Sequence, residues 1–303
     1  MSRHFLRLQD LSNQELSQVI DDAIDMKKRF RDVQQSAPAK GLILGMIFEK
    51  ASTRTRVSFE AGMAQLGGSA IFLDSSSTQM SRGEPIEDTA RVLSSMLDII
   101  MIRTFEHSNI ERFAEYANVP VINALTNDTH PCQLLADMQT FKECRGDIRG
   151  KTVTWVGDGN NMCQSYINAA DCFDFKLRIA CPKGYEPDPA IYEPFKHRIY
   201  ITDDPRDACQ SAHLVSTDVW ASMGQEENSQ KRIRDFDGFK VDHDLMALAS
   251  DDAIFMHCLP AHREEEVSAA LLEDPKYSVV WQQAENRLHA QKALMVFLLN
   301  AEA

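Results

Sequence analysis

Short apolar runs alternate with stretches of helical spacing along most of this chain, and few folds accommodate that rhythm. LILGMIF (42–48) precedes a stretch in which Phe59, Met63 and Leu66 recur at helical spacing, which predicts a helix from Val57. DIIMI (98–102) precedes a helical pattern near 110–117, and VPVINAL (119–125) closes the first series. After Gly150 the rhythm resumes with TVTWVGD, LRIACP, AHLVSTDV and AIFMHCLP. Strand, helix and strand in succession make parallel sheets with helices packed on their faces. The expected class is α/β.

At 303 residues the chain exceeds what one core comfortably organises, so two domains are expected, each with a central parallel sheet flanked by helices. The polar, glycine-containing segment KECRGDIRGK (142–151) is the expected break. A helix over about 133–141, with Leu134, Leu135, Met138 and Phe141 inward, would join the two domains as a strut. The charged segments PKGYEPDPAIYEPF and GQEENSQKRIRDFDGFK read as loops.

A net charge of −13 excludes a general nucleic-acid surface, which needs a basic stripe. The N-terminal MSRHFLRLQDLSNQELSQVI has no uninterrupted apolar core and no small-residue cleavage site, so no signal peptide is expected. ALMVFLL (293–299) is far shorter than the roughly 20 residues a membrane span requires and reads as a buried helix. Seven cysteines, an odd number without any CxxC, favour thiols in a reducing cytoplasm over a disulfide frame or a zinc site. A cytoplasmic protein with no cofactor and no metal is expected.

In so acidic a chain, the cations of FEKASTRTRVSFE (48–60) need a local explanation. Ser52, Thr53, Arg54, Thr55 and Arg56 stand where a strand hands over to a helix. In parallel sheets ligands bind beyond the carboxyl ends of strands, where helix N-termini point N–H groups outward. Those amides, the hydroxyls and the forked guanidinium of Arg54 suit a phosphate. No GxxxxGK is present, so this is not a Walker loop. The plain alternative is an N-cap with surface ion pairs.

Three further stretches carry polar groups at strand ends. VGDGNN (156–161) offers Gly157 and Gly159, but Met162 stands where a dinucleotide fingerprint has its third glycine. Asn160 and Asn161 closing over a small polar ligand is the alternative. Asp218, after HLVST, suits an ammonium group, and Ser222, Met223 and Gly224 offer a hydroxyl and N–H groups to a carboxylate. An α-amino acid needs both, whereas the simpler reading makes Asp218 a helix cap and Met223 a filler. In HCLPAHR (257–263), the spacing of His257 and His262 across Pro260 excludes the one-face pair of zinc hydrolases. Cys258 on its own reads as a small buried apolar residue.

STRTR after a strand resembles the carbamoyl phosphate signature of the aspartate/ornithine carbamoyltransferase family. HPCQ (130–133) resembles the family's second signature, and Arg103 follows DIIMI at the family's arginine position. D-x-x-x-SMG (218–224) and HCLP (257–260) resemble the ornithine-using branch. The aspartate-using branch has HPLPR at the latter place and a lysine in the loop matching SRGEP, and this chain has neither. The resemblance runs from FLRLQDLS to the final helix.

The resemblance implies transfer of the carbamoyl group of carbamoyl phosphate to the δ-amine of L-ornithine, giving L-citrulline and phosphate in arginine metabolism. It implies a carbamoyl phosphate domain over residues 1–141, with the C-terminal helix (285–303) packing back on it, and an ornithine domain over 150–284. Carbamoyl phosphate contacts are implied for Ser52, Thr53, Arg54, Thr55, Arg103, His130, Gln133, Cys258, Leu259 and Arg287. Gln79 matches a position given to a neighbouring subunit's site, as in a homotrimer with or without higher assembly. Ornithine contacts are implied for Asn161, Asp218, Ser222 and Met223, and catalytic roles for Arg103, His130 and Cys258. Three readings compete: a carbamoyltransferase for putrescine or an acylated ornithine, a non-enzymatic regulatory or assembly protein on the same fold, and a Rossmann oxidoreductase.

Overall fold

A computed structural model describes residues 2–74, 83–221 and 229–300. Gln79, Ser222 and Met223 lie outside the described residues. The chain divides into two compact units, Met1–Gln139 with Glu285–Ala303, and Thr140–Ala284.

The first series of elements comprises α1 (Asn13–Lys28), α2 (Phe30–Ser36), β1 (Ile43–Phe48), α3 (Thr53–Gln65), β2 (Ser69–Asp74), α4 (Ile86–Ser94), β3 (Ile99–Arg103), α5 (His107–Tyr116), β4 (Val121–Leu125) and α6 (Pro131–Arg145). The second comprises β5 (Thr152–Val156), α7 (Asn161–Cys172), β6 (Lys176–Ala180), α8 (Pro189–Tyr192), β7 (Ile199–Thr202), α9 (Pro205–Cys209), β8 (Leu214–Thr217), α10 (Ser229–Asp235), α11 (His243–Met246), β9 (Ile254–His257), α12 (Ala269–Leu272) and α13 (Val280–Asn300). The limits of the two units fall within α6 and α13.

Each unit contains one wholly parallel sheet, ordered β2-β1-β3-β4 in the first and β7-β6-β5-β8-β9 in the second. The inner strands β1, β3, β5 and β8 are buried almost throughout, because crossover helices cover both faces and demand apolar side chains on each. In the first unit Ile47, Ile100 and Ile102 pack with Ile110 and Phe113 of α5. In the second, Val156, Val215 and Phe255 pack with Trp220, Phe236 and Phe239. One edge of each sheet is covered by a short extended segment: Phe5 bonds to Val121 and Asn123 beside β4, and Tyr277 and Val279 bond to Phe255 of β9.

The sequence pattern does not predict β2 and β7. Both are edge strands whose alternation is only half-buried, so neither shows a clean apolar run. Helix α3 begins at Thr53, not at Val57, because Ser52 caps it by accepting from the Thr55 N–H at 3.2 Å. Most of STRTR is therefore helix. Helix α6 starts at Pro131, whose fixed φ and missing N–H suit a first turn, and runs on to Arg145, into the expected break at 142–151. The charged segment after SMG contains α10.

Strand order places both candidate sites. From β1 the chain steps to β2 on one side, then crosses to β3 on the other, so a crevice opens between the carboxyl ends of β1 and β3. The loop after β1 carries Ser52, and β3 ends on Arg103. In the second sheet the reversal lies between β5, which leads into VGDGNN, and β8, which leads to Asp218.

Candidate active site

In the first unit, the N-terminus of α3 presents the anion-seeking groups. The Ser52 and Thr55 hydroxyls bond to each other at 3.0 Å. Thr53 and Arg54 are exposed in the first turn, whereas Thr55 is buried. The other cation of the motif, Arg56, faces elsewhere: it pairs with Glu60 at 3.1 Å and covers the Phe72 ring. One arginine of the motif is thus left at the helix terminus and the other is structural.

Behind that terminus lies a buried polar group: Arg103 from the end of β3, His130 directly before α6, Gln133 from its first turn, and Arg287 from α13. Arg287 Nη1 donates to Gln133 Oε1 at 2.6 Å and its Nη2 to Thr55 Oγ1 at 3.3 Å. Gln133 Nε2 donates to Asp137 Oδ1 at 2.9 Å, one turn along α6. His130 is held neutral, its pKa well below the ordinary histidine value, first by burial and then by the charges of Arg287 and Arg103. A neutral imidazole that feels two guanidinium charges suits donation of a neutral N–H to a carbonyl oxygen on which charge develops. Lys50, which sequence reasoning passed over, donates to Asn127 at 2.7 Å and lies 4.3 Å from the Phe105 ring centre. Its pKa is lowered by burial and by Arg103.

In the second unit the centre is Asp218, which directly follows β8 and is buried. Its Oδ1 accepts from the Val219 N–H at 2.8 Å and from the Cys258 thiol at 3.2 Å, and its Oδ2 accepts from Asn160 Nδ2 at 3.1 Å. Burial pushes its pKa up, while His257, Cys258 and the Val219 N–H pull it down. A buried carboxylate held by three donors is a seat for an ammonium group.

Asn160 also caps α7, accepting from the N–H groups of Met162 and Cys163. Asn161 opens that helix, half-buried. The backbone of 185–187 sits against Gly159, where a Cβ would lie 2.3 Å from the Pro187 nitrogen. That close approach is what the second glycine of GxG supplies to a pyrophosphate in dinucleotide folds, and here the chain's own backbone takes it.

HCLP is organised from below. Leu259 has φ +58 and its N–H donates to His257 Nδ1 at 2.9 Å. His257 therefore carries its proton on Nε2, which donates to the buried Glu266 carboxylate at 2.9 Å. Ligand atoms of Asp218, His257 and Cys258 lie within 4.8 Å of one another. With both ring nitrogens of His257 engaged, the group is a hydrogen-bond chain rather than a metal cage. Two more residues hold this region. Arg232 of α10 donates to Asp158 at 2.8 Å and to the Trp220 carbonyl at 2.6 Å, tying the loop after β5 to the loop after β8. Glu266 and Arg232 carry no local motif, and Asp158, although it stands within VGDGNN, takes its role from a contact with Arg232 that is distant in sequence.

The structure thus brings Thr55, Gln133 and Arg287 into direct contact and groups Arg103 and His130 with them electrostatically; it joins Asp218 to Cys258, with Leu259 beside them. Among the described residues no helix is long and apolar enough to cross a membrane.

Comparison with known proteins agrees in both halves. The carbamoyl-P binding domain of aspartate/ornithine carbamoyltransferases matches residues 3–143, and their Asp/Orn binding domain matches residues 149–298. Ornithine carbamoyltransferase of Acinetobacter baylyi is 60% identical over 301 residues, covering 99% of this chain and 98% of its own. The crystal structure of ornithine carbamoyltransferase from Burkholderia thailandensis has 51% identity and a TM-score of 0.91, with 98% of each chain covered. That from Pyrococcus furiosus has 44% identity and a TM-score of 0.91, covering 99% of this chain and 97% of its own. The chain belongs to the aspartate/ornithine carbamoyltransferase family.

Proposed function

We propose that this protein transfers the carbamoyl group of carbamoyl phosphate to the δ-amine of L-ornithine, releasing L-citrulline and phosphate. Residues 1–141 with 285–303 carry carbamoyl phosphate, and residues 150–284 carry ornithine. The observation that carries the choice of acceptor is the buried Asp218, clasped by Cys258, Asn160 and the Val219 N–H, which suits the cationic end of a diamino acid. The names of the relatives above point the same way.

The δ-amine must attack as the neutral base. For an amine of pKa about 10.4, losing the proton at pH 7 costs about 4–5 kcal/mol. The amine nitrogen forms a bond to the carbamoyl carbon, the bond from that carbon to the phosphate oxygen breaks, and the proton that the nitrogen gives up leaves on the departing phosphate. The neutral His130, Arg103 and the Thr55 hydroxyl stabilise the oxygen of the tetrahedral intermediate. Ser52, Thr53, Arg54 and the N-terminus of α3 hold the phosphate and favour its departure. Gln133 and Arg287 orient the carbamoyl group. Asp218 takes the α-ammonium group, Ser222, Met223 and Asn161 the amino-acid end, and Cys258 with Leu259 organises the δ-amine and carbamoyl nitrogen.

The protein works as a homotrimer in the cytoplasm, with Gln79 reaching a neighbouring subunit's site. Exposed Val57, Ile71, Val92 and Met96, on α3, β2 and the α4 region of one unit, support an interface there. Thiols at all seven cysteines fit a reducing compartment. Citrulline formation across ornithine, N-acetylornithine, putrescine and aspartate tests the proposal. Ornithine should be preferred by a wide margin, and equal turnover of putrescine would overturn the assignment of Asp218 and the SMG segment to an α-amino acid.

A further inference from the structure

Arg287 and Gln291 are one turn apart on α13, so their side chains lie on one face. In the amide orientation that satisfies both neighbours, Gln291 Oε1 accepts from Arg287 Nη2 at 2.9 Å and from its Nε at 3.1 Å, while Nε2 donates to Ser58 Oγ at 2.6 Å. The orientation is not arbitrary. Ser58 donates its own proton to the Thr55 carbonyl at 3.2 Å and therefore meets Gln291 as an acceptor. That turns the amide nitrogen toward Ser58 and the oxygen toward Arg287. Gln291 and Ser58 are both buried.

We infer that Gln291, backed by Ser58, is a positioning residue that fixes the Arg287 guanidinium against Thr55 and Gln133. The inference rests on the reading that this crevice takes carbamoyl phosphate. A guanidinium is a flat fork on a long stem, with much rotamer freedom to lose. Gln291 takes the Nε and Nη2 edge of the fork and so sets its plane. With the plane set, Nη1 falls on Gln133 and Nη2 on Thr55. Gln133 is itself turned by Asp137, so its amide and the guanidinium reach any ligand already oriented. Without the Gln291 oxygen, ligand binding must impose that order and is weakened accordingly. Gln291 contributes no group to the reaction, so the effect belongs to carbamoyl phosphate affinity and not to the acceptor.

The test is Gln291→Met, which keeps the length of the side chain and removes its hydrogen bonds to Arg287 and Ser58. With carbamoyl phosphate varied at saturating ornithine, its KM should rise roughly tenfold. The KM for ornithine at saturating carbamoyl phosphate should stay close to that of the parent, while the melting temperature falls by a few degrees because the buried Arg287 loses an acceptor. In an Arg287→Ala background the same substitution should add nothing to the carbamoyl phosphate KM. An equal rise in both backgrounds means packing alone and overturns the inference, as does an unchanged KM in a folded Gln291→Met. If that variant does not fold, Ser58→Ala decides: a smaller rise in the same KM supports the inference and no change defeats it. If the parent protein neither binds nor uses carbamoyl phosphate, the functional reading fails separately. The crystal structure of Gln291→Met then judges the positioning role, by whether Arg287 leaves Thr55 and Gln133 or keeps them.

Discussion

The Cys258 thiol donates to Asp218 Oδ1 across 3.2 Å, although the two residues are 40 apart in sequence. Thr217 and His257 are register partners in β8 and β9, so the residues that follow them leave the sheet side by side. Cys258→Ala removes one of three donors from a buried carboxylate. Turnover should fall by about tenfold to a hundredfold. Because Cys258 helps to hold the Asp218 pKa down, the acid limb of kcat/KM for ornithine should move to higher pH. Cys172→Ala is the control: that thiol is buried at the end of α7, its pKa pushed up to about 12, and its loss should leave the profile in place.

Arg54 stands exposed in the first turn of α3, so replacing it removes little packing. Arg54→Gly should lower citrulline formation by about a thousandfold, the scale seen when a group stabilising transition-state charge is removed. Its stability should change by no more than about 1 kcal/mol, the usual cost of glycine in a helix. Melting curves beside steady-state rates check both halves. A variant that keeps normal rates would remove Arg54 from the phosphate site.

Arg232→Gln should raise the KM for ornithine and spare that for carbamoyl phosphate, since Arg232 ties together the loops after β5 and β8. It also leaves Asp158 buried without its cation, a loss of about 3 kcal/mol. Burial already pushes the Asp158 pKa up, and Arg232 opposes that shift, helped by the Gly159 N–H. Without Arg232 the folded carboxylate prefers a proton, so the variant's stability deficit should be larger at pH 8 than at pH 5. Thermal melts at the two values test the sign.

Lys292 is buried on α13, with its Nζ 3.1 Å from Gln65 Oε1 and 4.8 Å from the Phe30 ring centre. Burial lowers its pKa from 10.5 to about 8. Below that value both folded and unfolded chains carry the proton, and the fold bears the cost of a desolvated charge. Between about 8 and 10.5 the unfolded chain binds more protons, so stability should rise with pH across that window. Lys292→Met, which cannot titrate, should be more stable than the parent at pH 7, with the margin shrinking as pH rises. A margin that is constant with pH would show that Lys292 is not titrating there.

Runs such as DIIMI and TVTWV made the buried inner strands plain, because covered faces leave no room for polar residues. The edge strands β2 and β7 were illegible for the converse reason: half-exposed alternation looks like ordinary surface. Ser52, Arg54 and Asp218 stood out because helix caps and strand ends favour short, polar motifs. Arg287 was legible only through family resemblance, since an arginine on a helix has many uses. Arg232, Glu266 and Gln291 announce nothing locally. Their meaning arises when α10, the HCLP turn and α13 bring them to partners far away in sequence, or one helical turn off, and no window of residues records that.

Both crevices lie where a sheet reverses its winding, outside strands that are themselves fully packed. On the proposed assignment, the choice of amine to be carbamoylated rests with the loops after β5, β8 and β9, while the strands beneath fix the architecture. An engineer seeking a new acceptor can rewrite those loops and leave the phosphate-binding half untouched, and the altered chains should still fold.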